Sequence, residues 1–114
     1  MEEPHLTPSS LAHIKTKWPG RVPVFVLRAR NASPDLPVLQ KHKFMVPKSL
    51  TLGQFIYVVR KQMELAPEKA LFLFVGDALP VTGAMMSELY ERYKSPDGAL
   101  RVTYTSESTF GACP

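Results

Sequence analysis

The side chains that could act as a base or a nucleophile are few, and they are scattered along the 114 residues. They are His5, His13, His42 and Cys113. Cys113 is next to the last residue and has no histidine near it in the sequence. No paired carboxylates, phosphate-binding loop or zinc-ligand spacing is present. A lone cysteine also leaves no partner for a disulfide. We therefore predict no enzyme, no catalytic residue and no bound metal.

Positive charge is concentrated in the first half of the chain. Residues 1–61 hold ten lysines and arginines against three acidic residues, whereas residues 62–114 hold four against seven. Such a basic face attracts acidic peptides or anionic membrane surfaces. Nucleic acid is the competing partner, but no RNA-binding signature interleaves these residues with aromatics, so none is expected. The residues predicted to form the basic face are Lys15, Lys17, Arg28, Arg30, Lys41, Lys43, Arg60 and Lys61.

Length and composition predict one globular domain. Hydrophobic residues make up 45% of the chain and charged residues 21%, which is ordinary for a protein that folds around a single core. The longest apolar run, Ala70 to Val75, is far shorter than the ~20 residues of a membrane-spanning helix. The N-terminus does not resemble a secretory signal, and the lone cysteine fits a reducing compartment. We therefore predict a cytoplasmic location.

The spacing of apolar residues predicts seven elements in the order helix, strand, strand, helix, strand, helix, strand. Thr51 and Gln54 form a capping-box pattern before the main helix, and Thr82 is expected to cap the next one. Turn formers between Ala29 and Gln40 predict a long exposed loop. The predicted strands are Arg21 to Arg28, Lys43 to Pro47, Ala70 to Val75 and Leu100 to Tyr104. The predicted helices are Leu11 to Lys17, one through Leu52, Phe55, Ile56, Val59 and Met63, and one through Met85, Met86, Leu89, Tyr90 and Tyr93.

This order is typical of the ubiquitin-like β-grasp fold of the α+β class, in which helices pack on one face of a four-stranded mixed sheet. A short N-terminal helix is added to it here. Side chains alternate along a strand, so Lys43 and Met45 share one face while Phe44 and Val46 share the other. We divide the chain into a shortened helical extension (1–20), a ubiquitin-like domain (21–104) and a flexible tail (105–114).

Several blocks of sequence occur together in a characteristic order. They are Lys43-Phe44-Met45-Val46-Pro47, Leu50-Thr51-Leu52-Gly53-Gln54-Phe55, Pro67-Glu68-Lys69-Ala70-Leu71-Phe72, Val102-Thr103-Tyr104 and Glu107-Ser108-Thr109-Phe110-Gly111. On these blocks the chain strongly resembles the autophagy-related ubiquitin-like modifiers of the GABARAP and light-chain-3 type, from Ile14 to Gly111.

The resemblance implies a specific fate for the C-terminus. A cysteine protease would cut after Phe110-Gly111, and activating and conjugating enzymes would carry Gly111 as a thioester. The glycine would finally be joined to phosphatidylethanolamine, with no other cofactor implied. The protein would then move from the cytoplasm to autophagosome or vesicle membranes. Two alternatives stay open, namely a non-covalent ubiquitin-like adaptor and a modifier that is attached to a protein.

The resemblance also implies that a monomer recognises cargo receptors by strand addition to the second strand. The motif has an aromatic and an aliphatic residue separated by two positions, with acidic flanks. The implied aromatic pocket comprises Ile14, Pro23, Lys43 and Met45. The implied aliphatic pocket comprises Phe44, Val46, Pro47, Leu50, Phe55 and Val58. The implied contacts to acidic flanks are Arg21, Lys41 and Arg60.

Two departures from the family pattern bear on the sites that the resemblance implies. Ala99 stands where the family commonly has an aromatic residue, which implies an enlarged or weakened aromatic pocket. The N-terminal region is shorter than usual, so membrane tethering and tubulin contact are not carried over.

Overall fold

The computed structural model describes residues 7–30 and 32–106. They form three helices, α1 (Pro8–Lys17), α2 (Leu52–Met63) and α3 (Met86–Tyr93), and four strands, β1 (Arg21–Arg28), β2 (Lys43–Pro47), β3 (Phe72–Val75) and β4 (Leu100–Thr105). The predicted order of elements is confirmed. None of the helices in these two ranges is long and apolar enough to cross a membrane.

The four strands form one mixed sheet in the order β2-β1-β4-β3. β1 is antiparallel to β2 and parallel to β4, and β3 is antiparallel to β4. This arrangement confirms the predicted four-stranded mixed sheet. It also places β2 at one edge, so that only one side of this strand is paired within the sheet.

The two faces of the sheet carry separate clusters of buried side chains. On one face, α2 and α3 cover the main core, to which β1 contributes Val22, Val24 and Val26. On the other face, α1 contributes Ile14 to a smaller cluster with Phe25 and Ala99. Because side chains alternate along a strand, consecutive residues of β1 supply both clusters.

Capping residues determine where two of the helices begin. Thr7 Oγ1 accepts a hydrogen bond from Ser10 N–H at 3.1 Å, so α1 starts at Pro8, earlier than the predicted Leu11. The capping box of Thr51 and Gln54 is confirmed, with hydrogen bonds of 2.9 and 3.2 Å. Both helices therefore begin at a side chain that satisfies an otherwise unpaired N–H.

The predicted cap of α3 was wrong. Met85, and not Thr82, occupies the N-cap position, and its N–H donates to Glu88 Oε1 at 3.0 Å. The Thr82 carbonyl instead accepts from Gly53 N–H at 2.9 Å, which ties this loop to the start of α2.

The loop between β1 and β2 is less exposed than predicted. Ala29, Leu36 and Leu39 are buried. Arg28 holds the loop inward, because its guanidinium donates to the carbonyls of Leu36 at 2.9 Å and Ser33 at 2.7 Å. The strand predicted to begin at Ala70 is shorter than expected and begins at Phe72, since Ala70 is exposed.

A buried hydroxyl fixes the same loop to the sheet. Tyr104 Oη accepts a hydrogen bond from Leu39 N–H at 3.1 Å, and both residues are fully or almost fully buried. In Tyr104→Phe that N–H loses its acceptor, so we expect the free energy of unfolding to fall by about 1–3 kcal/mol in urea denaturation. Tyr93→Phe is the control, because Tyr93 lies at an exposed site on α3. It should change the free energy of unfolding by less than about 0.5 kcal/mol. Equal effects of the two changes would contradict the prediction.

Candidate functional site

The outer edge of β2 presents backbone groups that the sheet does not use. Val26 N–H donates to the His42 carbonyl at 2.8 Å, which sets the phase of the β1–β2 ladder. Hydrogen-bonded pairs alternate in an antiparallel ladder, so the N–H and C=O groups of Lys43 and Met45 point away from β1. Pro23, which pairs with Met45 and has no N–H, fits this phase. The edge is therefore open to a further strand.

An apolar cavity of about 340 Å³, which we call the edge cavity, lies beside this edge between β2 and α2. It brings together all six residues predicted for the aliphatic pocket. The rings of Phe44 and Phe55 meet edge to face at a centroid distance of 5.6 Å, and Val58 is 37% exposed. The lining residues are Arg21, Lys41, Phe44, Met45, Val46, Pro47, Leu50, Phe55, Val58 and Gln62.

Gln62 is the lining residue that sequence reasoning missed. It follows Val58 by four residues on α2, so the two side chains lie on the same face of the helix. Helical spacing would have indicated its position once Val58 had been assigned.

The four residues predicted for the aromatic pocket do not line one cavity. Ile14 and Pro23 line a second cavity of about 240 Å³ beside α1 and the start of β1, which we call the helix cavity. Met45 lines the edge cavity, and Lys43 lines neither of the two. Tyr90 also lines the helix cavity. Burial raises the pKa of the Tyr90 hydroxyl above its ordinary value, and this hydroxyl donates to the Gly98 carbonyl at 2.6 Å.

Ala99 is surrounded by side chains of α1 and β1. Ala99 is fully buried and packs with Ile14 and Phe25. Leu11 of α1 lies over Gly98, the residue before Ala99. A Cβ atom at position 98 would lie 2.5 Å from Leu11 Cδ2. Leu11 and Met45 pack against the same cluster.

Two of the three cations predicted to contact acidic flanks lie at the edge cavity. Arg21 Nη1 donates to the Met45 carbonyl at 2.9 Å, and Lys41 Nζ lies 5.0 Å from the centroid of an aromatic ring in the cavity. Arg60 lies elsewhere, because its guanidinium donates to the Ala66 carbonyl at 2.9 Å just beyond the end of α2. The structure thus separates Arg60 from the other two.

The predicted basic face loses two of its members to internal hydrogen bonds. Arg28 and Arg60 donate to loop carbonyls and are only partly exposed. The six remaining residues are exposed, namely Lys15, Lys17, Arg30, Lys41, Lys43 and Lys61.

The predicted conjugation site lies outside the described residues. Its two residues are Phe110 and Gly111. His5 and Cys113, two of the candidate bases and nucleophiles, also lie outside the described residues. Within residues 7–30 and 32–106, no group of three or more His, Cys, Asp and Glu side chains could hold a metal ion.

Comparisons with known proteins agree with this architecture. A family model described as autophagy protein Atg8, ubiquitin like, matches residues 8–111. Autophagy-related protein 8 of Mycosarcoma maydis is 50% identical over 98 residues, which are 86% of this chain and 81% of the relative. Autophagy-related protein 8d of Arabidopsis thaliana is 50% identical over 100 residues, which are 88% of this chain and 82% of the relative.

Two solved structures extend the likeness to three dimensions. The crystal structure of Trypanosoma brucei ATG8 has a TM-score of 0.81 and 38% identity, covering 90% of this chain and 87% of that one. Plasmodium falciparum Atg8, in complex with a peptide of Plasmodium falciparum Atg3, has a TM-score of 0.79 and 34% identity, covering 90% and 89%. The range matched by the family model contains every residue that lines the two cavities.

Proposed function

The chain belongs to the Atg8 family of ubiquitin-like autophagy proteins, and from that premise we propose that it is a modifier that is conjugated to phosphatidylethanolamine through Gly111. On autophagosome or vesicle membranes it recruits cargo receptors by binding their short aromatic-x-x-aliphatic motifs. This function combines two actions, covalent attachment at the C-terminus and peptide binding at β2.

The free edge of β2 beside an apolar cavity is the observation that carries the peptide-binding action. Strand addition supplies the backbone hydrogen bonds, and pockets for side chains supply selectivity. The aromatic and the aliphatic residue of the motif have two residues between them, and residues i and i+3 point to opposite faces of a strand. The aliphatic residue of a motif therefore enters the edge cavity, while the aromatic residue lies on the face of Ile14 and Met45. The complex of the Plasmodium falciparum relative with an Atg3 peptide supports peptide binding by this fold.

Attachment at Gly111 explains why a glycine stands at the processing site. A tail that passes through narrow active sites needs a backbone that can be approached closely from both sides, and glycine has no Cβ to obstruct it. A cysteine protease, an activating enzyme and a conjugating enzyme are the partners required. The two acyl chains of the lipid suffice for stable membrane anchoring, whereas a single chain gives only marginal binding.

The conjugating action is tested by intact-mass spectrometry of the protein recovered from starved cells of its own source. The wild type should lose residues 112–114 and gain the mass of phosphatidylethanolamine, and Gly111→Ala should do neither. Gly83→Ala is the matched control, since a Cβ there meets no atom within 4 Å, and it should behave as the wild type. Full-length wild type without an adduct, under conditions that induce autophagy, would leave only the adaptor function. An adduct with the mass of a protein would identify the other alternative.

A further inference from the structure

Arg21 covers part of the edge that a peptide strand would use. Its Nη1 donates to the Met45 carbonyl at 2.9 Å, and that carbonyl is one of the groups that point away from β1. The guanidinium carbon also lies 5.8 Å from the centroid of the Trp18 ring, so the side chain is held between the helix cavity and the edge cavity, both of which it lines.

An added strand needs the Met45 carbonyl as the acceptor for one of its own N–H groups. The Arg21 guanidinium therefore occupies space in front of this acceptor that an incoming peptide would use. A peptide that offers nothing to Arg21 must displace the exposed guanidinium from the carbonyl, or forgo one hydrogen bond of the ladder.

A carboxylate on the peptide changes the outcome of this competition. A guanidinium binds a carboxylate through two charge-assisted hydrogen bonds, which are stronger than a single bond to a neutral carbonyl. Of the ten described residues that line the edge cavity, none is acidic, so the partner for Arg21 at this cavity must come from the peptide.

Building on the proposed peptide binding, and on the contact with acidic flanks that the family resemblance implies for Arg21, we propose that Arg21 also selects against neutral peptides at this edge. In the free protein it occludes the Met45 carbonyl, and an aspartate or glutamate next to the aliphatic residue of the motif draws it away. Arg21 therefore disfavours neutral peptides as well as favouring acidic ones, and both effects contribute to selectivity.

Two peptides test this inference by isothermal titration calorimetry. Both carry a Trp-x-x-Leu motif, with glutamates on either side of the leucine in one and glutamines in the other. The wild type should bind the glutamate peptide about tenfold more tightly, a difference of about 1.4 kcal/mol. Arg21→Met should bind the glutamine peptide about three- to tenfold more tightly than the wild type does, because the carbonyl is free, and the glutamate peptide less tightly.

Lys41→Met is the matched control, because Lys41 lines the same cavity but its ammonium group lies against an aromatic ring. It should weaken binding of the glutamate peptide without improving that of the glutamine peptide. If Arg21→Met leaves the affinity for the glutamine peptide unchanged or lowers it, while the wild type binds both peptides, occlusion by Arg21 is wrong and peptide binding stands. If the wild type binds neither peptide, peptide binding at this edge fails and the inference fails with it.

Discussion

Phe55→Ala will lower the free energy of unfolding by about 3–5 kcal/mol, the usual range for removing a large side chain from a core. Phe55 is 1% exposed and packs edge to face against Phe44 at the inner wall of the edge cavity. A domain of this kind is stable by about 5–15 kcal/mol, so the variant should lose a large share of its stability. Urea denaturation, followed by circular dichroism, measures the change.

The matched control for Phe55→Ala is Tyr57→Ala, two residues further along α2. Tyr57 is also aromatic but 61% exposed, so its loss should cost less than about 1 kcal/mol. If Phe55→Ala lowers the free energy of unfolding by less than about 1.5 kcal/mol, the prediction is wrong. The neighbouring side chains then close the space that the phenylalanine ring leaves.

Gly98→Ala will lower the free energy of unfolding by about 2–6 kcal/mol for two independent reasons. Gly98 has a φ of 87°, and a left-handed conformation costs a residue with a Cβ about 1–3 kcal/mol. The new methyl group would also meet Leu11 at 2.5 Å, and overpacking of this kind costs about 1–3 kcal/mol. Denaturation of the purified variant measures the sum.

A double-mutant cycle separates the two causes. Leu11→Ala in the Gly98→Ala background removes the clash and should recover part of the loss, whereas the backbone strain remains. Gly83→Ala, where a Cβ has open space, should be nearly neutral. Additive effects of the Leu11 and Gly98 changes would show that α1 does not pack over this glycine in solution.

The aliphatic side of the site was implied by the family resemblance, and local periodicity agrees with it. Alternation along β2 puts Phe44 and Val46 on the same face, and helical spacing brings Phe55 and Val58 toward them. The aromatic side could not be predicted in the same way. It depends on how α1 lies across the sheet, and sequence spacing does not show that Leu11 fills the room above Gly98.

Long basic side chains were the other source of error. Arg28 and Arg60 were counted as surface charge, but each donates to backbone carbonyls of a nearby loop. Such carbonyls need donors wherever the chain leaves a regular element, and the need appears only when the path of the loop is known. Composition therefore predicts that a basic face exists but not which cations form it.

The length and ends of β2 also bear on what happens when many copies crowd together. An unpaired edge invites identical chains to join into continuous sheets, which is a common route to aggregation. Here the strand is only five residues long, and it begins with Lys43 and ends with Pro47, which has no N–H to donate. Charge, shortness and a terminal proline all oppose growth from copy to copy. The edge thus stays unpaired in the sheet while these features limit its joining to a second copy.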